Sequence, residues 1–148
     1  METLAINKRA TYDFEFLETF EGGLVLTGPE VKSAKASHIQ LKGAFIMIRG
    51  GELWLKNALI SRYEPAGQQD SYDPYRNRKI LIRRRDINKL IGKINNQGLT
   101  LVPIKVYLDR NLVKVAFALA KGKKKFEKRA VIKKREIDRQ IREKMKNG

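Results

Sequence analysis

The chain has no cysteine, one histidine and four prolines in 148 residues. Without thiols, disulfides, thiolate nucleophiles and cysteine-ligated zinc are excluded, and His38 alone leaves no Cys/His ligand set. Acidic residues are scarce: 16 stand against 32 Lys and Arg, for a net charge of +16. No apolar run approaches a membrane-spanning length, and the opening METLAINKRA has neither a signal-type apolar core nor a myristoylation pattern. A cytoplasmic location with no membrane partner is therefore expected. Enzyme patterns are equally thin. Gly122-Lys123 lacks Walker spacing, Ser33 and Ser37 lie in no nucleophile elbow, and His38 has no acid placed with it by sequence. Asp13, Glu15, Glu18, Glu21 and Glu30 supply carboxylates that a magnesium-dependent nuclease would need, but no spacing singles out a pair. The expectation is a binding protein rather than an enzyme, with no metal or cofactor.

What is present is basic charge, concentrated at the end. Residues 121–148 hold thirteen Lys or Arg against four acids, a net +9 that leaves +7 for residues 1–120. Charge of this density favours a phosphate backbone, because Lys and Arg displace condensed counterions whatever the base sequence. The economical division is one domain over 1–120, large enough to bury a core without staples, and a basic tail over 121–148. Ile137, Ile141 and Met145 recur every four residues among Lys133, Lys134, Arg135, Arg139 and Arg142. A helix there would carry a narrow apolar stripe, poorly formed alone and able to order against a polyanion. A second basic run, Arg76 to Arg85, has Arg76, Arg78, Lys79, Arg83, Arg84 and Arg85 with no acid among them, and reads as a ridge for phosphate contact. Tyr12, Phe14, Tyr72 and Tyr75 lie near it or near Lys8 and Arg9 and could stack on unpaired bases.

Apolar periodicity predicts two strands within residues 12–27, then a short helix over Glu30 to Ala36 after Pro29. Ala44 to Arg49 and Glu52 to Lys56 flank Gly50-Gly51 as a tight hairpin. Residues 64–78 have loop composition with little to bury and are expected to be mobile. Ile87, Leu90, Ile91 and Ile94 follow a helical period, with Asp86 as N-cap and Gly98 as stop. Val102, Ile104, Val106 and Leu108 predict one strand face, and Val113, Val115, Phe117 and Leu119 the next, about a turn at Asp109-Arg110-Asn111. This is a mainly β, α+β chain, best read as a small barrel of the oligonucleotide-binding (OB) kind with short flanking helices and a basic tail disordered when free.

Several strings carry more than composition does: Asn7-Lys8-Arg9-Ala10, Phe20-Glu21-Gly22-Gly23-Leu24, Thr27-Gly28-Pro29-Glu30-Val31-Lys32-Ser33, Asp73-Pro74 with Arg76-Asn77-Arg78-Lys79-Ile80-Leu81, and Leu119-Ala120-Lys121-Gly122-Lys123-Lys124 with Lys128-Arg129. In this order, over nearly the whole chain, they resemble the bacterial small protein B, or SsrA-binding protein, family. The resemblance implies a monomeric non-enzyme that binds the tRNA-like domain of transfer-messenger RNA (tmRNA) and brings it to the A site of a 70S ribosome stalled on a message without a stop codon. Elongation factor Tu with GTP would be an indirect partner through alanyl-tmRNA. The tail would probe the empty messenger channel beyond the decoding centre as a helix, and the unfinished protein would receive a degradation tag. Residue by residue, it implies RNA contact for Glu21, Leu81, Gly122, Lys123 and Lys124, with Lys79 from the ridge beside them. It implies a ribosomal role for the tail positions Glu127, Lys128 and Arg129, extended by Lys133, Lys134, Arg135 and Arg139. Tyr12 stands where relatives often carry a stacking histidine. The departures are Gly22 for Ala, Pro29 for Thr or Trp, Lys35 for Arg and Glu127 for Asp. Gly22 is expected to loosen the chain beside Glu21 and weaken RNA affinity.

Overall fold

The structure, a computed structural model, describes residues 1–66 and 71–123. The tail positions Lys124, Glu127, Lys128, Arg129, Lys133, Lys134, Arg135 and Arg139 lie outside the described residues, as do loop positions 67–70. In chain order the elements are β1 (Glu2–Ile6), α1 (Ala10–Asp13), β2 (Phe14–Leu24), α2 (Gly28–Lys35), β3 (Ile39–Gln40), β4 (Phe45–Arg49), β5 (Glu52–Lys56), β6 (Leu59–Ile60), a 3-10 turn (Glu64–Ala66), β7 (Arg78–Leu81), α3 (Arg84–Gln97), β8 (Thr100–Asp109) and β9 (Leu112–Gly122). The protein is mainly β with short helices, as expected. Seven strands pair in the order β1-β8-β4-β5-β7-β2-β9, and β9 pairs again with β8, so the ladder returns on itself. The link between β4 and β8 is a single residue pair, Ile46 with Leu101.

Local chemistry accounts for most of these elements. Gly50 and Gly51 take φ of 62° and 74°, the left-handed values a two-residue hairpin requires, and β4 and β5 pair in register across them. Along β9, Val113, Val115, Phe117 and Leu119 all enter the core, as the alternation predicts. β8 departs from it. A register shift between Pro103 and Lys105 reverses the faces, so Leu101 and Val106 share the main core while Val102 joins Ala10 and Ala120 in a smaller cluster. Residues 14–24 form one long strand rather than two, because a shift between Phe16 and Glu18 interrupts the alternation without breaking the pairing to β9. α3 begins two residues before Asp86, which sits in its first turn, and the N-cap is Arg83 with no side-chain cap. An acid there still meets the positive helix end. Gly98 ends α3 at φ 63°, and Ile87 and Leu90 are buried.

Residues 71–77, between the 3-10 turn and β7, are exposed or half-buried, as expected, but Arg78 at the end of the predicted loop departs from this. Arg78 is fully buried, and so is Glu30 of α2. Arg78 donates through Nε and Nη2 to Glu30 Oε2 at 3.0 and 2.6 Å, through Nη1 to the carbonyls of Ala58 and Pro74, and through Nη2 to the Tyr72 hydroxyl. All five guanidinium N–H groups are thus satisfied. The other Glu30 oxygen accepts from Arg76 Nη2 and from the Thr27 N–H at 3.0 Å, closing a capping box in which Thr27 Oγ1 accepts from the Glu30 N–H. Tyr72 Oη lies 2.8 Å from Ile60 O, its proton shared with Glu30. The loop is tied to α2 and β6 through its described residues.

Burial raises the Glu30 pKa, but hydrogen bonds from Arg76, Thr27 and Arg78 together with the charge of Arg78 overcome it and hold the carboxyl at about 2, against an ordinary 4.5. A depressed carboxylate stabilises the fold above pH 4.5, and that contribution is lost as pH falls toward 2; the shift corresponds to about 3 kcal/mol. Glu30→Gln should therefore cost about 3–5 kcal/mol at pH 7, since it leaves a buried guanidinium unpaired, and should flatten the acid limb of stability against pH. Urea melts from pH 7 to 2 test both; wild-type stability in the variant would refute the assignment.

Candidate nucleic-acid interface

β2 and β7 bring two of the expected contact residues side by side. Gly23 pairs with Leu81, and side chains alternate along both strands. On β2, Phe20 points inward, stacked on Phe117 with centroids 5.7 Å apart, and Glu21 points outward. On β7, Arg78 and Ile80 are buried while Leu81 is 55% exposed. Glu21 and Leu81 share one open concavity with Leu112, Lys114, Arg83 and Asp86, floored by Gly22 and Gly23. Leu112 is 62% exposed, so the concavity offers two apolar side chains beside charges of both signs. It suits a base edge with its exocyclic groups better than a bare phosphate.

Gly22 tightens this region rather than loosening it. A Cβ there would lie 2.5 Å from Ile80 Cγ2 and 2.8 Å from Ile82 Cγ2, so only glycine lets β2 pass β7 this closely. Beyond β9, Tyr107 of β8 is buried, and its hydroxyl has no hydrogen-bond partner. Burial, then the neighbouring Glu21 and Asp109 carboxylates, push that hydroxyl up to about 12. The Glu21 contact falls short of hydrogen-bond geometry. Sequence reasoning missed Tyr107, Lys114 and Leu112; the alternation of β8 and β9 sets Tyr107 and Lys114 on the outer face, but carries no sign that Tyr107 is covered there.

The remaining expected residues lie at the other end of β2. Phe14 pairs with Gly122, and the Lys123 N–H donates to Asp13 O at 2.9 Å. Lys123 Nζ donates to Thr11 O of α1, and the Arg9 guanidinium lies 4.8 Å over the Tyr12 ring. Tyr12, Gly122 and Lys123 therefore form one group where the tail departs, and β9 runs two residues past position 120 before it does. Seven residues of strand separate Phe14 from Glu21, about 23 Å. The expected contacts thus form two sets, and Lys79, two residues from Leu81 on the same face of β7, is paired to Glu52.

The ridge over 76–85 is divided by strand geometry. Arg78 is inside, Arg76 holds Glu30, and Lys79 pairs with Glu52 at 2.8 Å. Arg83, Arg84 and Arg85 stay exposed at the start of α3. Among the stacking candidates, Tyr72 is held in the Glu30 network and Phe14 packs against Ala10, Val102 and Ala120, whereas Tyr75 is 50% exposed. Of the carboxylates, Glu18 bridges Lys89 and Lys93, whose hydrogen bonds lower its pKa. Among the described residues, no three of His, Cys, Asp or Glu gather as a metal set, and no helix is long and apolar enough to cross a membrane.

Comparison with known proteins turns this geometry into a family. The sequence model of the family described as "SmpB protein" matches residues 4–147. The chain belongs to the SmpB family. Its relatives include SsrA-binding proteins of Trichormus variabilis, 51% identical over 95% of this chain and 91% of that one, and of Coprothermobacter proteolyticus, 46% identical over 96% and 95%. A solved structure described as "tmRNA-SmpB: a journey to the center of the bacterial ribosome" matches with a TM-score of 0.65 and 44% identity, covering 81% of this chain and 84% of that one. In this SmpB-family chain the Thr27–Ser33 and Arg76–Arg78 strings build the Glu30 network and the Ser33 hydrogen bond to Ser61 O, which makes them part of the scaffold. The Phe20–Gly23 string and Leu81 instead form the concavity. Gly22→Ala should cost about 1–3 kcal/mol by overpacking, while Gly23→Ala, whose Cβ would meet only Leu81 Cβ at 4.0 Å, should change stability by less than about 0.5 kcal/mol. Thermal melts of the two variants decide it; equal effects would refute the close approach.

Proposed function

We infer that this protein is a tmRNA-binding factor of trans-translation. It binds the tRNA-like domain, delivers it to ribosomes stalled on messages without a stop codon, and acts by binding rather than by breaking bonds. The reading is carried by one observation: in a chain of the SmpB family, Glu21 and Leu81 meet on the outer face of β2 and β7, beside exposed apolar and basic side chains. The carboxylate is suited to accept from base amines, the leucines to cover a base face, and Arg83 to Arg85 to neutralise nearby phosphates. The Tyr12, Gly122 and Lys123 group, with Lys124 next in the chain, makes the second contact set, from which the tail leads into the messenger channel. Elongation factor Tu with GTP joins through the alanylated RNA, and the protein works as a cytoplasmic monomer.

Two experiments separate the parts. Deleting everything after Arg129 should leave affinity for the tRNA-like domain nearly intact and abolish tagging; equal loss of both would end the division between body and tail. Replacing Lys123 and Lys124 together with Ala should weaken RNA binding and reduce the slope of log affinity against log salt by up to about two units. An unchanged slope in filter-binding titrations would remove those lysines from the contact set.

A further inference from the structure

Among the described residues, Tyr107 holds the one buried hydroxyl that is left unpaired, and it lies beside the concavity. The side chain is 1% exposed, and Oη has neither solvent nor a partner. A buried hydroxyl in that condition is a net cost to folding, so its persistence calls for a use. Strand register places it. Tyr107 pairs with Lys114, and Ala116, the next residue on that face of β9, pairs with Glu21 on its far side and with Lys105 on its near side. The outer surface across β8, β9 and β2 therefore has Tyr107 and Lys105 at one edge, the small Ala116 methyl in the middle and Glu21 at the other edge. Lys114, on the same face, lines the concavity with Glu21, and the Glu21 carboxylate is near enough to raise the pKa of the phenol. Lys105 Nζ lies 5.6 Å over the ring, and Lys114 Nζ is bound to Asp109 at 3.1 Å, so neither amine is an acceptor that could satisfy the phenol. The acceptor within a side-chain rotation is Glu21, which is exposed and has rotamers to spare.

We propose that Tyr107 is a positioning residue for RNA recognition: on binding, its hydroxyl donates to one oxygen of Glu21, leaving the other oxygen to accept from an N–H donor on the edge of an unpaired base. This rests on the reading that Glu21 meets the tRNA-like domain. A carboxylate free to rotate loses side-chain entropy on contact, and one anchored by a rigid buried phenol presents a single acceptor direction. The ligand class is thus a nucleobase with an amine or imino donor, the pattern carried by guanine, adenine and cytosine edges.

The test uses full-length Tyr107→Phe, Glu21→Ala and the double variant, each melted thermally and titrated with the host's tRNA-like domain. Tyr107→Phe removes an unpaired buried oxygen, so it should melt no lower than wild type while binding about fivefold to tenfold more weakly. In the Glu21→Ala background, Tyr107→Phe should change affinity by less than about twofold. A role in packing alone would instead lower the melting temperature together with affinity, and that result overturns the proposal. So does unchanged affinity, or the same fold loss in both backgrounds. If wild type fails to bind the RNA, the functional reading falls and takes this with it; if wild type binds and Glu21→Ala weakens it while Tyr107→Phe does not, only the positioning role falls.

Discussion

The structure depends on one ion pair sealed from water. Glu30 and Arg78 are both buried, and each satisfies its partner's remaining valences through groups that also anchor the chain: the Thr27 cap, the carbonyls of Ala58 and Pro74, and the Tyr72 hydroxyl. Two charges taken from water are tolerated only when every donor and acceptor is matched, and here they are. The pair also fixes the register of β7. A slip of one residue would turn Lys79 and Leu81 inward and expel Arg78, so the energy that keeps the guanidinium inside is also what keeps Leu81 outside, next to Glu21. The outer face that carries Glu21 and Leu81 is set by a scaffold interaction on the opposite face of the same strand.

This explains which parts were legible in the sequence. β4, β5 and β9 follow a clean period of two, and the Gly50-Gly51 turn needs only local backbone chemistry, so they read directly. The helical period of Ile87 to Ile94 was equally plain, although the start of α3 was not, because no side chain caps it. Illegible features were those made by distant partners. Arg78 looked like one more cation in a basic run; only its place two residues before Ile80, on the inner face, hinted otherwise, and its carboxylate lies 48 positions away. Register shifts in β2 and β8 hid one strand's continuity and the face that Val102 takes. Glu21 and Leu81 were named through family likeness, and what the fold adds is that they are neighbours.

The basic excess looks different once partners are assigned. In the body, Arg76, Arg78, Lys79, Lys89, Lys93 and Lys114 are matched to carboxylates, so the apparent ridge is partly internal bookkeeping of charge. The N-cap and first turn of α3 keep three adjacent arginines exposed. The field that a polyanion meets on this side is therefore narrower than composition suggests, and it lies at the rim of the Glu21 concavity, where Arg83 is shared by both.

The same helix has another neighbour. Ile91 and Ile94 of α3 lie over the place where β4 meets β8, beside Ile46 and Leu101, the single paired position that joins those strands. Arginines at the front of α3 and isoleucines further along it belong to one rigid rod. Among the described strands this is the shortest ladder, so one helix joins the exposed cations to the seam that the fewest backbone pairs hold.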